Sequence, residues 1–349
     1  MKPSSASTRF TPKLVLSLGC PSGIGPEVAV AAAASVRGAR TLLVGDLGAA
    51  CAAARVRGVE LSRVARVTEP AEAFEAPAKN RVFVFEPVER LSAADRRPGR
   101  PSRAGGAAQL AWIDAAMNVV SSGIGDALVT APVSKDAIAH SGAPGARAFR
   151  GHTEHLAERL GAREVTMAFW TKALTTSLVT THLPLREVPS AIDAAGVARA
   201  VYFTARFLRD LGETRPLAVA SLNPHAGEGG LLGTEEEDVL RPGIERGRAR
   251  LLREGVPFEC RGPIPAESAF RLAASGTYGG VVAMYHDQAT IPMKLLGFGD
   301  AVNVSLGLPI VRTSVDHGTA YDRAGKGTAD ARGMQAAMEL AITLATRKK

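Results

Sequence analysis

Residues 13–36, KLVLSLGCPSGIGPEVAVAAAASV, place a short apolar run, a glycine-rich turn and an alanine-rich helical pattern in that order. The alternation continues along the chain and predicts strands at residues 13–18, 41–46, 82–86, 126–131, 175–182, 217–223, 281–286 and 301–306. Alternating strands and helices are typical of βαβ units. The sequence therefore predicts an α/β fold with a mostly parallel sheet, whose ligands bind at the carboxyl ends of the strands.

Helical patterns fill the intervals, near residues 27–36, 47–57, 107–121, 153–161, 193–211, 234–253 and 332–347. Loops are expected around residues 70–80 and 94–106. The turn at residues 19–25 has neither the G-x-G-x-x-G nor the Walker spacing, so a conventional Rossmann fingerprint is not supported. Its place after the first strand leaves two interpretations, a ligand-binding loop or a plain turn.

Length and composition limit the class of protein. A chain of 349 residues exceeds what one hydrophobic core usually supports, so two lobes or one large α/β domain are expected. Cys20, Cys51 and Cys260 are odd in number and contain no C-x-x-C pair, which argues against disulfides and a thiolate zinc site. The N-terminus lacks the apolar region of a leader, and no apolar run is long enough to span a bilayer. We expect a cytoplasmic enzyme that does not enter a membrane.

The net charge of +8 raises the question of a polyanionic partner. Arg96, Arg97, Arg100 and Arg103 form one tight basic cluster in a loop rich in Pro and Gly, which is either a solvated loop or a nucleic-acid contact. Aromatic residues make up only 5% of the chain, so base-stacking platforms are not expected. We favour a basic cleft for a small phosphorylated or carboxylated anion and expect no nucleic-acid partner.

Three of the seven histidines lie at or just after the ends of predicted strands, namely His182, His225 and His286. Imidazole is the commonest metal ligand, and three histidines with an open position are typical of a catalytic divalent site such as Zn²⁺. The alternative is three histidines with structural roles. Around His225 the glycines allow positive φ and close approach of a ligand. Thr234 and Glu237 predict a capping box, although Glu235, Glu236 and Glu237 are also possible metal ligands.

A second candidate site begins at His152 and Thr153. They precede a helical pattern, whose free N–H groups attract an anion such as phosphate; the alternative is a simple helix cap. Lys294, Asn303 and Arg312, near later strand ends, supply a positive charge, an amide and a bidentate anion fork.

Several long motifs occur in order: GHTE, THLPLR, LNPHAGEGG, MYHDQ, VNVSLGLPIVRTSVDHGTA and AGKG. With them, residues 13 to 345 resemble the 4-hydroxythreonine-4-phosphate dehydrogenase family of pyridoxal phosphate biosynthesis. Residues 316–330 also resemble the adenosine-binding segment of isocitrate and isopropylmalate dehydrogenases. The resemblance implies their two-lobed α/β/α fold, with an active-site cleft between a lobe of residues 1–133 plus 310–349 and a lobe of residues 134–309. The second lobe is expected to carry the metal ligands and a dimer interface.

The resemblance also implies roles for individual residues. It implies that the metal ligands are His182, His225 and His286. It implies that the substrate-binding residues are His152, Thr153, Lys294, Asn303 and Arg312. The nicotinamide cofactor is expected at Asp316, His317, Gly318 and Thr319. Lys294 is either a proton acceptor or a phosphate clamp, and Asp287 is expected to orient an imidazole.

The implied reaction oxidises the C3 hydroxyl of 4-phosphooxy-L-threonine with NAD or NADP and a divalent ion (Zn²⁺, Mg²⁺ or Co²⁺). The β-keto acid then loses carbon dioxide to give 3-amino-2-oxopropyl phosphate. A homodimer is implied, with a site shared between subunits.

Two departures from the family pattern concern the substrate. Cys20 stands where an acidic residue is usual, and Glu267 where an Asp is usual. They leave open a related dehydrogenase acting on a phosphorylated tetronate or a cis-dihydrodiol carboxylate. A metal-dependent lyase is a more distant alternative.

Overall fold

The computed structural model describes residues 10–76, 81–297 and 299–347. The chain forms two compact units: a first unit of Met1–Arg147, Thr319–Ala331 and Met338–Lys349, and a second unit of Ala148–Gly318 and Arg332–Ala337. The units change after residues 147, 318, 331 and 337, and the lobe boundaries that the family resemblance implies, after residues 133 and 309, stay a prediction. No helix in the described part of the chain combines the length and the apolar character needed to cross a bilayer.

The first unit contains a parallel sheet and helices. Its strands are β1 (Lys13–Ser17), β2 (Arg40–Val44), β3 (Val64–Val67), β4 (Val82–Phe85) and β5 (Ala127–Thr130). Its helices are α1 (Gly25–Ser35), α2 (Leu47–Val56), α3 (Glu72–Glu75), α4 (Arg103–Ser121) and α5 (Lys135–Ala139). The strand order is β3-β4-β2-β1-β5, and every pair is parallel. The strands are short apolar runs because helices cover both faces of such a sheet.

The second unit has a mixed sheet. Its strands are β6 (Thr166–Trp170), β7 (Thr175–Leu178), β8 (Leu217–Ala220), β9 (Cys260–Ile264), β10 (Gly280–Ala283), β11 (Val302–Leu306) and β12 (Val311–Val315). Its helices are α6 (His152–Arg159), α7 (Val188–Ala191), α8 (Ala194–Asp210), α9 (Arg241–Arg253), α10 (Ala266–Ala274) and α11 (His286–Gly297); the residues of α12 (Arg332–Arg347) are divided between the two units. The order is β12-β11-β6-β7-β10-β8-β9. β7, β10, β8 and β9 run parallel, and the pairs β6–β7, β11–β6 and β11–β12 are antiparallel.

Two apolar layers enclose the parallel part of this sheet. On one face Val219 and Val282 pack with side chains of α8 and α9. On the other face Ala218 and Val281 pack with side chains of α10 and α11. This alternation follows from the two-residue period of a strand. The alternation fixes which side chains of each strand face each layer of helices.

The predicted α/β fold is confirmed, and each of the eight predicted strands overlaps an observed strand. The prediction missed β3, β6, β9 and β12; β9 contains Gly262-Pro263, a pair that normally argues against a strand. The loop predicted at 94–106 ends early because α4 begins at Arg103, and the loop predicted at 70–80 contains α3. Residues 77–80 of that prediction lie outside the described residues.

A buried carboxylate holds the AGKG motif in the first unit. Glu27, in the first turn of α1, is 3% exposed. Its Oε1 accepts from Gly325 N at 2.6 Å and its Oε2 accepts from Gly327 N at 3.0 Å. Both glycines have positive φ, so the loop takes a conformation that most other residues adopt poorly. Glu27 therefore fixes a segment that is distant in sequence.

We predict that Glu27→Gln lowers the free energy of unfolding by about 1–3 kcal/mol, because the amide has one acceptor oxygen for two buried N–H donors. Urea denaturation followed by circular dichroism measures the change. Glu89→Gln, at an exposed site in the same unit, is the matched control and should be near neutral. Equal stability of the Glu27 variant and the wild type would contradict this role.

Candidate functional site

Three neighbouring parallel strands of the second unit end beside one another. β10 lies between β7 and β8, and all three run in the same direction. His182 follows β7, His286 follows β10 and His225 follows β8. The rings of His182 and His286 have centroids 5.5 Å apart. The structure thus brings two of the predicted metal ligands together and puts the third on the adjacent loop.

Hydrogen bonds tie these three strand ends to one another. Gln288 Oε1 accepts from Met284 N at 2.7 Å, and its Nε2 donates to Ser221 O at 2.8 Å, which joins the ends of β10 and β8. Thr180 Oγ1 donates to Met284 O at 2.7 Å, which joins the ends of β7 and β10. Sequence reasoning missed Gln288, although it lies in the MYHDQ motif.

The orientation of the His286 ring depends on Asp287. His286 Nδ1 lies 2.7 Å from Asp287 Oδ1. In the tautomer in which Nδ1 donates to this carboxyl oxygen, Nε2 has its lone pair available for a metal ion. This geometry agrees with the expected orienting role of Asp287.

The loop that carries His225 has an unusual backbone. His225, Ala226 and Glu228 have φ values of 50°, 53° and 46°, although none is a glycine. Such residues cost about 1–3 kcal/mol each and persist only where the surroundings enforce them, often at ligand sites. Glu236 supplies part of that enforcement: its buried carboxylate accepts from Leu222 N at 2.9 Å and from Asn223 N at 2.8 Å.

The predicted capping box at Thr234 and Glu237 is wrong. Glu237 pairs with Arg241 at 2.7 Å instead, and Glu235 accepts from the side-chain amide of Asn223 at 2.7 Å. The helix begins with a wide π-type turn at Glu236–Leu240. Glu237 therefore bonds to Arg241, and Glu235 and Glu236 bond to groups of the loop after β8, in place of the predicted helix cap. Within residues 10–76, 81–297 and 299–347, no three His, Cys, Asp or Glu side chains are grouped so that they could hold a metal ion.

A polar network in the same unit joins three of the predicted substrate-binding residues. Arg312 is 3% exposed, and its Nη1 donates to Asn303 Oδ1 at 3.0 Å and to Ser305 Oγ at 2.9 Å. Ser305 Oγ lies 2.7 Å from Thr153 Oγ1. Ser305 was missed by sequence reasoning, although its two-residue spacing from Asn303 places both on one face of β11. The network runs from β12 through β11 to the first turn of α6.

Arg312 remains protonated although it is buried. Burial lowers the pKa of Arg312 to about 9, and Glu154 opposes this effect, so the guanidinium stays positive at neutral pH. His152, half-buried at the start of α6, packs edge-on against Phe149 with ring centroids 6.2 Å apart. The helix N-cap is Gly151, which has no side chain, and His152 and Thr153 are the first two residues of α6, so neither is its cap.

Further predicted residues lie near one another at the end of β12. Burial raises the pKa of Asp316, while Lys294, His286 and His317 oppose that shift through their charges. Lys294 is exposed on α11. Asp316 therefore interacts electrostatically with a predicted proton acceptor, a predicted metal ligand and a predicted cofactor residue.

The glycine turn of the first unit is closely packed. Ile24 N donates to Thr319 O at 2.9 Å, and a Cβ at Gly23 would lie 2.7 Å from the same oxygen. Cys20 is 1% exposed, and its Sγ lies 3.5 Å from Tyr321 Oη. Burial raises the pKa of Cys20, and burial raises the pKa of Tyr321 to about 12. Cys20 is a packed, neutral thiol.

In the second unit, Glu267 is exposed in the first turn of α10 and accepts from Ser268 Oγ at 3.1 Å.

Comparison with known proteins gives consistent results. The model of the family described as Pyridoxal phosphate biosynthetic protein PdxA matches residues 37–341. The chain is 40% identical over 342 residues to 4-hydroxythreonine-4-phosphate dehydrogenase of Geobacter metallireducens, covering 97% of this chain and 96% of that protein. A crystal structure of 4-hydroxythreonine-4-phosphate dehydrogenase from Klebsiella pneumoniae is similar, with 34% identity, a TM-score of 0.79 and coverage of 96% and 100%. A terephthalate 1,2-cis-dihydrodiol dehydrogenase from Burkholderia xenovorans has 29% identity, a TM-score of 0.66 and coverage of 96% and 98%.

The cysteines provide a solution test of the packing at the glycine turn. Cys20 and Cys260 are buried, and burial also raises the pKa of Cys260 to about 12, so both thiols stay protonated and shielded at pH 8. We predict that 5,5′-dithiobis(2-nitrobenzoate) labels one thiol per folded chain, the half-buried Cys51, and three after unfolding in denaturant. Cys51→Ser should remove the labelling of the folded chain. Fast labelling in that variant would contradict the packed state of Cys20.

Proposed function

The chain belongs to the PdxA family of pyridoxal phosphate biosynthetic proteins, and on that premise we propose that it is an NAD- or NADP-dependent 4-hydroxythreonine-4-phosphate dehydrogenase. The substrate is 4-phosphooxy-L-threonine, whose C3 hydroxyl is oxidised to a ketone. The resulting β-keto acid loses carbon dioxide to give 3-amino-2-oxopropyl phosphate. The observation that carries this proposal is the placement of His182 and His286 side by side at neighbouring strand ends.

Imidazole donors suit a divalent ion, and two of the three lie together, although the described side chains do not form a complete group of three ligands. His182 and His286 lie close enough to share a ligand, Asp287 leaves His286 Nε2 available, and His225 extends from the next loop. His182, His225 and His286 would hold Zn²⁺, Mg²⁺ or Co²⁺, and such an ion would lower the pKa of the substrate hydroxyl and stabilise the charge that develops on its oxygen. The strained loop of His225 and its buried anchor Glu236 restrict where that third imidazole lies.

The phosphate of the substrate is assigned to the start of α6 and the network behind it. His152 and Thr153 occupy the first turn, where backbone N–H groups point outward. The buried, positively charged Arg312 donates hydrogen bonds to Asn303 and Ser305 and holds both side chains in place. Because Arg312 is buried, we assign it to orienting these groups and to attracting the anion through its charge.

Lys294 and Asp316 are assigned to the reacting end of the substrate. The exposed amine of Lys294 either accepts the hydroxyl proton at Nζ or holds the phosphate, and its interaction with Asp316 is compatible with both roles. NAD or NADP, which takes the hydride, is assigned to Asp316, His317, Gly318 and Thr319. Glu27 supports this assignment, because it fixes the backbone of the AGKG loop that follows them.

A homodimer that completes the site is supported by exposed apolar side chains near the candidate ligands. Ile291 and Leu295 lie one turn apart on α11, which begins at His286, and are 58% and 80% exposed. Leu231, just after the His225 loop, is 83% exposed. Apolar side chains concentrated near a site are typical of a protein interface. A partner subunit would cover them and exclude water from the metal centre.

A related dehydrogenase activity is the second candidate. The similarity to the terephthalate cis-dihydrodiol dehydrogenase favours it, as do Cys20 and Glu267, which depart from the usual family residues. Purified protein assayed with NAD and 4-phosphooxy-L-threonine, and separately with phosphorylated tetronates and cis-dihydrodiol carboxylates, distinguishes the two. Turnover of the phosphorylated threonine derivative supports the leading proposal. Turnover of a different hydroxy acid alone would replace it.

We predict that His225→Ala lowers turnover at least about 100-fold while leaving the fold intact, because a metal ligand is lost. Nicotinamide reduction at 340 nm measures turnover, and circular dichroism monitors the fold. The matched control is His140→Ala, whose side chain is 77% exposed in the first unit and should retain activity. A fully active His225 variant would refute the ligand role of His225.

The dimer gives a separate prediction. Leu295→Asp should convert the protein from dimer to monomer in size-exclusion chromatography with light scattering, because a charge would be buried in the interface. Leu252→Asp, at a 66% exposed position on α9, should leave the dimer intact. A dimer unaffected by Leu295→Asp would place the interface elsewhere.

A further inference from the structure

A row of basic residues crosses the amino-terminal edge of the sheet in the first unit. Lys13, the first residue of β1, is in register with Arg40, the first residue of β2. The pairing of Leu42 with Phe83, continued by two residues, places Arg81 beside Arg40. The pairing of Val64 with Val82, continued by one residue, places Arg63 beside Arg81. Lys13 and Arg40 therefore lie side by side on adjacent strands about 4.8 Å apart, and Arg81 and Arg63, which immediately precede β4 and β3, continue the row at the same edge.

A cavity lies at this edge. Its volume is about 190 Å³, and its wall includes Arg37, Arg40, Arg63 and Arg81. No carboxylate lines it among the residues that the structure describes. Pockets for drug-sized ligands have volumes of about 300–1,000 Å³, so this one suits a small ion.

Such a row is unfavourable without an anion. Like charges directly opposite one another on neighbouring strands destabilise a sheet. Arg37 and Arg63 have structural partners, since each donates to Ala34 O in the last turn of α1, at 3.0 and 3.1 Å. Lys13 Nζ lies 5.6 Å from the ring centroid of Phe74. In the described part of the chain no carboxylate pairs with the side chains of Arg40 or Arg81, so both guanidinium groups are available to a bound anion.

We propose that this cavity binds a small phosphorylated anion, with Arg40 and Arg81 as its main ligands. A guanidinium presents paired N–H donors that match two phosphate oxygens, and Arg37 and Arg63, fixed by Ala34, add positive charge. The cavity is distinct from the glycine turn of the same unit. That turn follows the carboxyl end of β1, whereas the cavity lies at the amino-terminal ends of β2 and β4. It is a separate binding site that does not depend on the proposed reaction.

The test is isothermal titration of the full-length protein with inorganic pyrophosphate at low ionic strength. One saturable site per chain is expected at this cavity. Arg40→Gln and Arg81→Gln should each weaken binding about tenfold or more, because each removes a charge-assisted contact. Arg55→Gln removes the same charge from an exposed position on α2 in the same unit and should change the affinity less than about twofold. Lys294→Ala, altered in the proposed substrate site, should retain the binding.

A thermal-shift measurement separates ligand binding from a structural role. Pyrophosphate should raise the Tm of the wild type and fail to raise that of Arg40→Gln, whose Tm without ligand should not fall, because a like charge has been removed. If Arg40→Gln does not fold, Arg81→Gln carries the test, since Arg81 is exposed. Absence of saturable binding to the wild type overturns the proposal. Equal weakening by Arg55→Gln, or loss of the binding in Lys294→Ala, overturns it as well.

Discussion

The candidate site depends on one constraint, which is that three neighbouring parallel strands end at the same edge of a sheet. Because β10 lies between β7 and β8, the loops that follow them start about 4.8 Å apart. Residues far apart in sequence thereby become neighbours. Gln288 and Thr180 then tie the strand ends together through backbone atoms, so the positions of His182 and His286 are coupled.

Burial shifts the pKa of two charged residues in the second unit, Arg312 and Asp316. Arg312 remains positive behind Asn303 and Ser305, and Asp316 is held in surroundings that disfavour its ionised form. A site that keeps a buried cation near polar side chains attracts anions and excludes much of the water that would screen them. A phosphorylated hydroxy acid that also chelates a metal ion suits these features.

The sequence identifies candidate side chains of this site more readily than the residues that hold them in place, and the chemical roles of the candidates stay predictions. His182, His225 and His286 are found from their positions at strand ends, and Asn303 from its place in a strand near Arg312. Glu236 and Gln288 are not found, because their roles depend on which strands are neighbours, and strand order is not a local property of the sequence. The predicted capping box fails for a local reason, because Glu237 pairs with Arg241 four residues further on, while Glu235 and Glu236 bond to Asn223 in the loop after β8. Ser305 could have been predicted from the sequence, since its two-residue spacing places it on the same face of β11 as Asn303.

The central claim is that three imidazoles from successive strand ends bind one divalent ion. X-ray absorption at the zinc edge, recorded on the zinc-loaded protein, tests it most directly. The account predicts one bound ion per chain, with a shell of nitrogen or oxygen at about 2.0–2.1 Å and the multiple-scattering pattern of three imidazoles. A sulfur shell at about 2.3 Å, or a spectrum without imidazole scattering, would contradict it.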